Sequence, residues 1–142
     1  MSRECPFDWF DGKNDKLSGG RVLATSDHRF AYGFFDGDGR LKNAFIASKS
    51  HGEDILSLLT AYSAELAQML QVTLNFMGKV DGYNVYANEG AAAGMTVGNH
   101  AHLHVIRRNV GDAAAGMGLG KLVTEYDKLS LAYDKLAWTS ST

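Results

Sequence analysis

Cysteine is nearly absent: Cys5 stands alone in a chain of 142 residues. This excludes an internal disulfide and a cysteine-rich zinc site, and it suits a reducing compartment. Long apolar runs are missing too. No stretch approaches the roughly 20 apolar residues of a membrane span, and Met1 to Phe10 has no basic segment followed by an apolar one. The expectation is a cytoplasmic protein with no membrane partner. Neither sign of charge is in excess, since the net charge is -2 and the pI is near 6.2. Bulk electrostatics therefore do not favour nucleic acid, and an anionic ligand has to be held by local geometry. No internal repeat or low-complexity segment is evident.

What is present is an ordinary globular composition, 45% hydrophobic and 21% charged. A chain of this length makes one domain, residues 1–142, with a core over about 21–108 and a C-terminal loop and helix over about 109–138. Arg21–Thr25, Phe30–Phe35 and Asn43–Ala47 are rich in β-branched or aromatic residues and read as strands. The turn formers Asp36-Gly37-Asp38-Gly39 join the second and third as an antiparallel hairpin. Ile55, Leu56, Leu58 and Leu59 suggest a short helix from Glu53. Tyr62, Leu66, Met69, Leu70 and Met77 continue at helical spacing, with Thr60 or Ser63 as the cap and Gly78 or Gly82 as the stop. The methionines read as core filler. Tyr83–Ala87 alternates as a strand and leads through the Ala/Gly-rich stretch 90–98 into the segment Asn99–Ile106, with which it pairs. After a Gly/Ala stretch over 111–120, a last helix runs from about Lys121 to Trp138. The order β-β-β-α-β-β-α predicts an α+β domain with one antiparallel sheet.

His100, His102 and His104 occupy alternate positions in Asn99-His100-Ala101-His102-Leu103-His104-Val105-Ile106 and account for three of the five histidines. In a strand, residues two apart share a face, so the imidazoles line one side while Ala101, Leu103 and Val105 enter the core. Imidazole titrates near neutrality and acts as nucleophile, acid, base or metal ligand. A central His102 can attack while its neighbours orient it and hold developing charge. A solvated polar face is the bland alternative. Metal ligation is another, opposed by the lack of any Asp or Glu on the strand.

This segment, with Gly82-Tyr83-Asn84-Val85, Asn88-Glu89-Gly90, Ala93-Gly94 and Thr96-Val97 before it, resembles the signature region of the histidine triad (HIT) superfamily. The pattern His, apolar, His, apolar, His, apolar, apolar is met at all seven positions. A weaker likeness runs upstream through Val22-Leu23-Ala24, Asp27, Phe45-Ile46-Ala47 and Lys49-Ser50-His51, so the resemblance covers roughly 21–108. It implies a five-stranded antiparallel sheet with a long helix and a C-terminal helix, and commonly a homodimer. It also implies a nucleotide-binding hydrolase or transferase that cleaves a nucleoside phosphoramidate, an adenylate or a dinucleoside polyphosphate. The partner is then a purine nucleotide or its conjugate. By position His102 attacks the α-phosphorus and forms a nucleotidyl-histidine. His104 donates to a phosphoryl oxygen or protonates the leaving group, and His100 fixes the tautomer of His102; these two outer roles are exchangeable. No cofactor is required, and Mg²⁺ would matter only with polyphosphate substrates.

Around the triad the resemblance implies nucleotide or phosphate contacts by Asn88, Thr96, Asn43 and Arg107, a ribose contact by Asp27 and a base contact by Phe45. Backbone N–H groups of the 94–98 loop are added to these. Asn88 is equally a turn residue, Arg107-Arg108 equally a solvated strand end, and His51 a residue at the start of a helix; His28 is ambiguous. Asn43 stands where the family's relay has a further histidine, and it cannot titrate near neutrality. Met95 replaces a glutamine, and the spacing from Thr96 to His100 is one residue longer than usual. Asp8 stands where a second cysteine would follow Cys5, so a structural zinc is not expected. These departures leave open a nucleotide-binding module with little turnover, and a metal protein as the third alternative.

Overall fold

The computed structural model describes residues 20–93 and 100–110. Cys5, the 94–98 loop with Met95 and Thr96, the 111–120 stretch and the expected helix from Lys121 to Trp138 lie outside the described residues. The described chain forms β1 (Gly20–Thr25), β2 (Arg29–Phe35), β3 (Leu41–Ser48), α1 (Ile55–Thr60), α2 (Ser63–Met77), β4 (Gly82–Ala87), a 3₁₀ turn at Ala91–Ala93, and β5 (His102–Arg108). The five strands make one sheet in the order β1-β2-β3-β5-β4, and every neighbouring pair is antiparallel. This is the expected α+β architecture.

The turn between β2 and β3 forms through Asp36, whose Oδ1 accepts from the backbone N–H groups of Asp38 and Arg40 at 3.0 Å each. Gly39 supplies the positive φ of 78° that a β-carbon would resist. Strand alternation then gives the sheet two unlike faces. On one, Ala31, Ala44, Ile46, Leu103 and Val105 are buried with Leu58 of α1 and Met69 and Met77 of α2. On the other stand Phe30, Tyr32 and Phe34 of β2, Asn43 and Phe45 of β3, and His102 and His104 of β5, all buried. The methionines of α2 are core filler, as their helical spacing implies.

The two helices meet at an unusual joint. Gly78 ends α2 at φ 70°, as expected of a C-terminal glycine. Neither Thr60 nor Ser63 caps its start, however. The N-cap is Tyr62 in the left-handed conformation (φ 54°), without a side-chain cap. A non-glycine residue held there stores backbone strain of order 1–3 kcal/mol. Its ring stacks on His28 at 3.5 Å between centroids and 7° between planes, which offsets that cost. His28 in turn donates its backbone N–H to Glu65 at 2.8 Å and places Nδ1 against the same carboxylate at 2.8 Å. Bonds from Ser26, ahead of those from His28, hold Glu65 down to about 2.

Leu58 is the buried residue of α1. Leu58→Ala is expected to lower unfolding stability by about 2–5 kcal/mol, read as a shift of the urea midpoint at unchanged slope; a shift within error would show that α1 is not anchored through this side chain.

Candidate functional site

The site is built on β5. His102 pairs with Ala47 of β3, and His104 lies between Phe45 of β3 and Tyr86 of β4. The pleat directs both imidazoles to the face away from α2, as the alternation requires. Regular pairing begins at His102, so His100 precedes the strand rather than belonging to it. The reason is that its neighbours bond elsewhere: the Ala101 N–H donates to the Glu53 carbonyl at 3.2 Å, outside the sheet ladder. His100 itself is fully buried and donates Nε2–H to the Ser48 carbonyl at 2.6 Å, with the exposed His51 edge-on at 5.6 Å.

One hydrogen bond sets the chemistry of His102. Its Nδ1 lies 3.0 Å from the His100 carbonyl oxygen. A carbonyl only accepts, so Nδ1 carries the proton and Nε2 is the nitrogen with the lone pair. The group of His100 that meets His102 is thus its backbone carbonyl, not its ring. Burial disfavours the imidazolium and holds His102 down to about 4 and His104 to about 3. Both are neutral at physiological pH. His102 is therefore in its nucleophilic form without needing a base to deprotonate it.

Aromatic rings hold these imidazoles. Phe45 presents its ring nearly perpendicular to His102 at 5.5 Å and to His104 at 5.0 Å. Tyr86 stacks on His104 at 4.5 Å and 10°. His102 and His104 are themselves 4.8 Å apart at 68°. Tyr32, Phe34 and Phe45 continue the row at 5.5 and 5.4 Å. Phe45, expected against a nucleobase, is 3% exposed and packs on the histidines. Tyr86 was not foreseen; it is opposite His104 only through the β4–β5 register, which no local pattern reveals.

The other expected contacts divide. Asn43 is buried on the histidine face, two residues from Phe45 and opposite Ile106. Asn88 follows directly on the end of β4, two residues beyond Tyr86 and outside the paired strand. Asp27 is exposed in the turn between β1 and β2. That turn meets the His100 end of the sheet, where the Lys49 N–H donates to the His28 carbonyl. Arg107 is not with the histidines. Its parity matches Leu103 and Val105, and its guanidinium donates to Asp36 Oδ2 at 2.7 Å and the Leu41 carbonyl at 2.9 Å. The Arg107 bond keeps the Asp36 carboxyl below the usual range. Arg108 has the histidine parity and bonds Asn84 at 2.7 Å. Thr96 lies outside the described residues. Among the described residues, no three His, Cys, Asp or Glu side chains are grouped to hold a metal ion, and no helix is long and apolar enough to cross a membrane.

The profile of the HIT domain matches residues 44–111. An adenosine 5'-monophosphoramidase, HNT1, of Candida albicans is 32% identical over 103 residues, spanning 66% of this chain and 66% of that protein, just under two thirds of its length. A HIT family protein of Bacillus anthracis is similar in structure, with TM-score 0.51, 24% identity and coverage of 87% of this chain and 88% of that one. A further solved structure, described as a Hit Like Protein, has TM-score 0.51 at 18% identity and covers 63% of this chain and 87% of its own. At these identities the structural likenesses bear on the fold.

The depressed imidazoles make stability depend on pH. Above the unfolded imidazole value of about 6.5, both states hold these rings neutral and they contribute no slope. Below it the unfolded chain takes up protons that folded His102 and His104 refuse. Stability is therefore expected to fall with pH from about 6.5 towards about 4 and 3 for the two rings. Urea midpoints measured between about pH 7 and pH 5 test this, with His104→Leu removing part of the slope; a flat wild-type profile would mean that the rings titrate normally.

Proposed function

The chain belongs to the histidine triad superfamily, and from that premise we propose that it is a nucleotide hydrolase or nucleotidyl transferase whose attacking group is His102. The observation that carries this reading is the Nδ1–H bond to the His100 carbonyl. It leaves Nε2 as the nucleophilic nitrogen of a buried, neutral ring. A nucleoside phosphoramidate is the preferred substrate class, supported by the likeness to the C. albicans monophosphoramidase; adenylates and dinucleoside polyphosphates are the other candidates.

In the proposed reaction Nε2 attacks the α-phosphorus and a P–Nε2 bond forms as the bond to the leaving group breaks. The leaving nitrogen or oxygen takes up a proton. Water then attacks the same phosphorus, the P–Nε2 bond breaks, and the nucleoside monophosphate departs with His102 restored. Dividing one displacement into two avoids a single demanding step. His104, neutral and 4.8 Å from His102 between centroids, suits a hydrogen-bond donor to a phosphoryl oxygen. Phosphate charge arriving beside it opposes the effect of burial and favours its imidazolium, the form that protonates a leaving group. Asn88 and Thr96 are proposed as phosphate donors and Asp27 as a ribose acceptor. Arg107, occupied by Asp36 on the far face, receives no phosphate role. No metal ion enters this chemistry; Mg²⁺ serves only to neutralise a polyphosphate.

His102→Ala should reduce phosphoramidate turnover by several powers of ten while retaining nucleotide binding. Wild-type protein quenched during turnover of adenosine 5'-phosphoramidate should carry nucleotide on His102, detected by mass spectrometry at neutral or alkaline pH. A His102→Ala protein of near wild-type activity would remove the mechanism, and wild-type protein that binds nucleotide without turning it over would favour the binding-module reading left open by Asn43.

We also propose a homodimer, because among the described residues β1 and β4 end the sheet, and sheet edges invite pairing. Light scattering at micromolar concentration should give about twice the 15.4 kDa chain mass; the chain mass itself would refute the proposal.

A further inference from the structure

The peptide unit joining His100 to Ala101 is bonded at both ends. Its carbonyl accepts from His102 Nδ1–H at 3.0 Å, and its N–H donates to the Glu53 carbonyl at 3.2 Å. In a planar trans peptide these two groups point in opposite directions. The unit therefore cannot turn toward a new partner at one end without loosening the other. The acceptor that orients the nucleophile is as well placed as Glu53 is.

Glu53 is fixed in turn by a buried cation. Both its carboxylate oxygens receive Arg29, at 3.0 Å from one guanidinium nitrogen and 3.1 Å from the other. Such a planar fork fixes orientation as well as distance. Arg29 is 0% exposed and is itself held by the His28 carbonyl at 3.0 Å and the Ala61 carbonyl at 2.7 Å. On the chain beyond Glu53, Asp54 caps α1 by accepting from the Ser57 N–H at 2.7 Å, and the Ile55 N–H donates to Glu89 at 2.8 Å. Glu53 is thus anchored through its own side chain and through the chain that follows it.

We propose that Arg29 and Glu53 are positioning residues for the nucleophile, setting the tautomer of His102 through the His100–Ala101 peptide. The proposal rests on the reading of His102 as the attacking residue. When the pair is broken, the Glu53 carbonyl shifts, the peptide turns, and His102 loses the acceptor that keeps its proton on Nδ1. The other tautomer carries the proton on Nε2, the nitrogen that must attack. Substrate contacts are untouched, so the loss belongs to kcat and not to KM.

Glu53→Gln and Arg29→Lys test this in the full-length chain, the first keeping the side-chain shape and the second the charge. Two readouts are taken: the kinetics with adenosine 5'-phosphoramidate, and the His102 tautomer from long-range ¹H–¹⁵N correlations of the ring. The wild-type ring should be wholly the Nδ1–H form. Each folded variant should show a mixture and lose about 10- to 100-fold in kcat at nearly unchanged KM. If Arg29→Lys does not fold, Glu53→Gln alone decides. Folded Glu53→Gln protein with His102 still wholly Nδ1–H overturns the proposal, whatever its turnover. Because the tautomer is read without substrate, a wild-type protein inactive on the phosphoramidate would count against the proposed reaction and leave this measurement able to decide.

Discussion

A guanidinium removed from water must be given oxygen atoms, and Arg29 gathers them from three parts of the chain. It stands at the start of β2 and draws in the Glu53 carboxylate, the carbonyls of His28 and Ala61, and, at 3.5 Å, those of Ser57 and Leu58 at the end of α1. The last of these lie in the final turn of α1, where the Ser57 carbonyl also accepts from the Ala61 N–H at 2.9 Å, and the end of a helix is a natural place for a cation. Its Nε has no acceptor among the described residues. An arrangement like this adds little net stability over an apolar one, yet removing one partner leaves an uncompensated charge at a cost of about 3–5 kcal/mol. Its effect is to define geometry: the entry to α1, the joint to α2 and the approach to β5 are all referred to one side chain.

The two buried imidazoles obey the opposite electrostatic demand. Where Arg29 keeps its charge by collecting acceptors, His102 and His104 are buried among Phe45, Tyr86 and each other, and they give up theirs. A neutral ring is a ready nucleophile and is easily lodged against aromatic carbon. The same surroundings suit a phosphate less well until hydrogen-bond donors approach it, which gives the polar residues at the His100 end of the sheet their importance.

Much of this was legible in the residues because strand period and turn chemistry act locally. The Asp36–Gly39 turn, the three strands around it, the helical run to Met77 and the alternation of histidines with apolar residues all appear in the structure. The misreadings share a cause. Tyr62, rather than Ser63 or Thr60, caps α2 because it stacks on His28, which lies far away in sequence. The Glu53 contact with Ala101 delays β5 until His102. Arg107 follows the triad closely in sequence yet has the parity of the other face, so adjacency misled where alternation would have corrected it. The Arg29–Glu53 pair spans 24 residues with no motif, and Tyr86 becomes relevant only through strand register. Side chains were placed correctly where the cause was local and misplaced or missed where it was tertiary.

The sheet order has a consequence for how the site comes into being. β1, β2 and β3 follow one another as a meander, whereas β5 inserts between β3 and β4. The bond from His100 to Ser48 closes a separation of 52 residues. Contacts so distant in sequence bear a greater entropy of closure than the hairpins before them. A chain emerging during synthesis can complete its first three strands, α1 and α2 while His102 has neither its carbonyl acceptor nor its aromatic neighbours. Until β5 docks, that imidazole titrates in water like any other. The buried, neutral state of this ring is thus among the last properties the chain acquires, and an incompletely folded molecule carries the histidine pattern without the environment that sets its protonation.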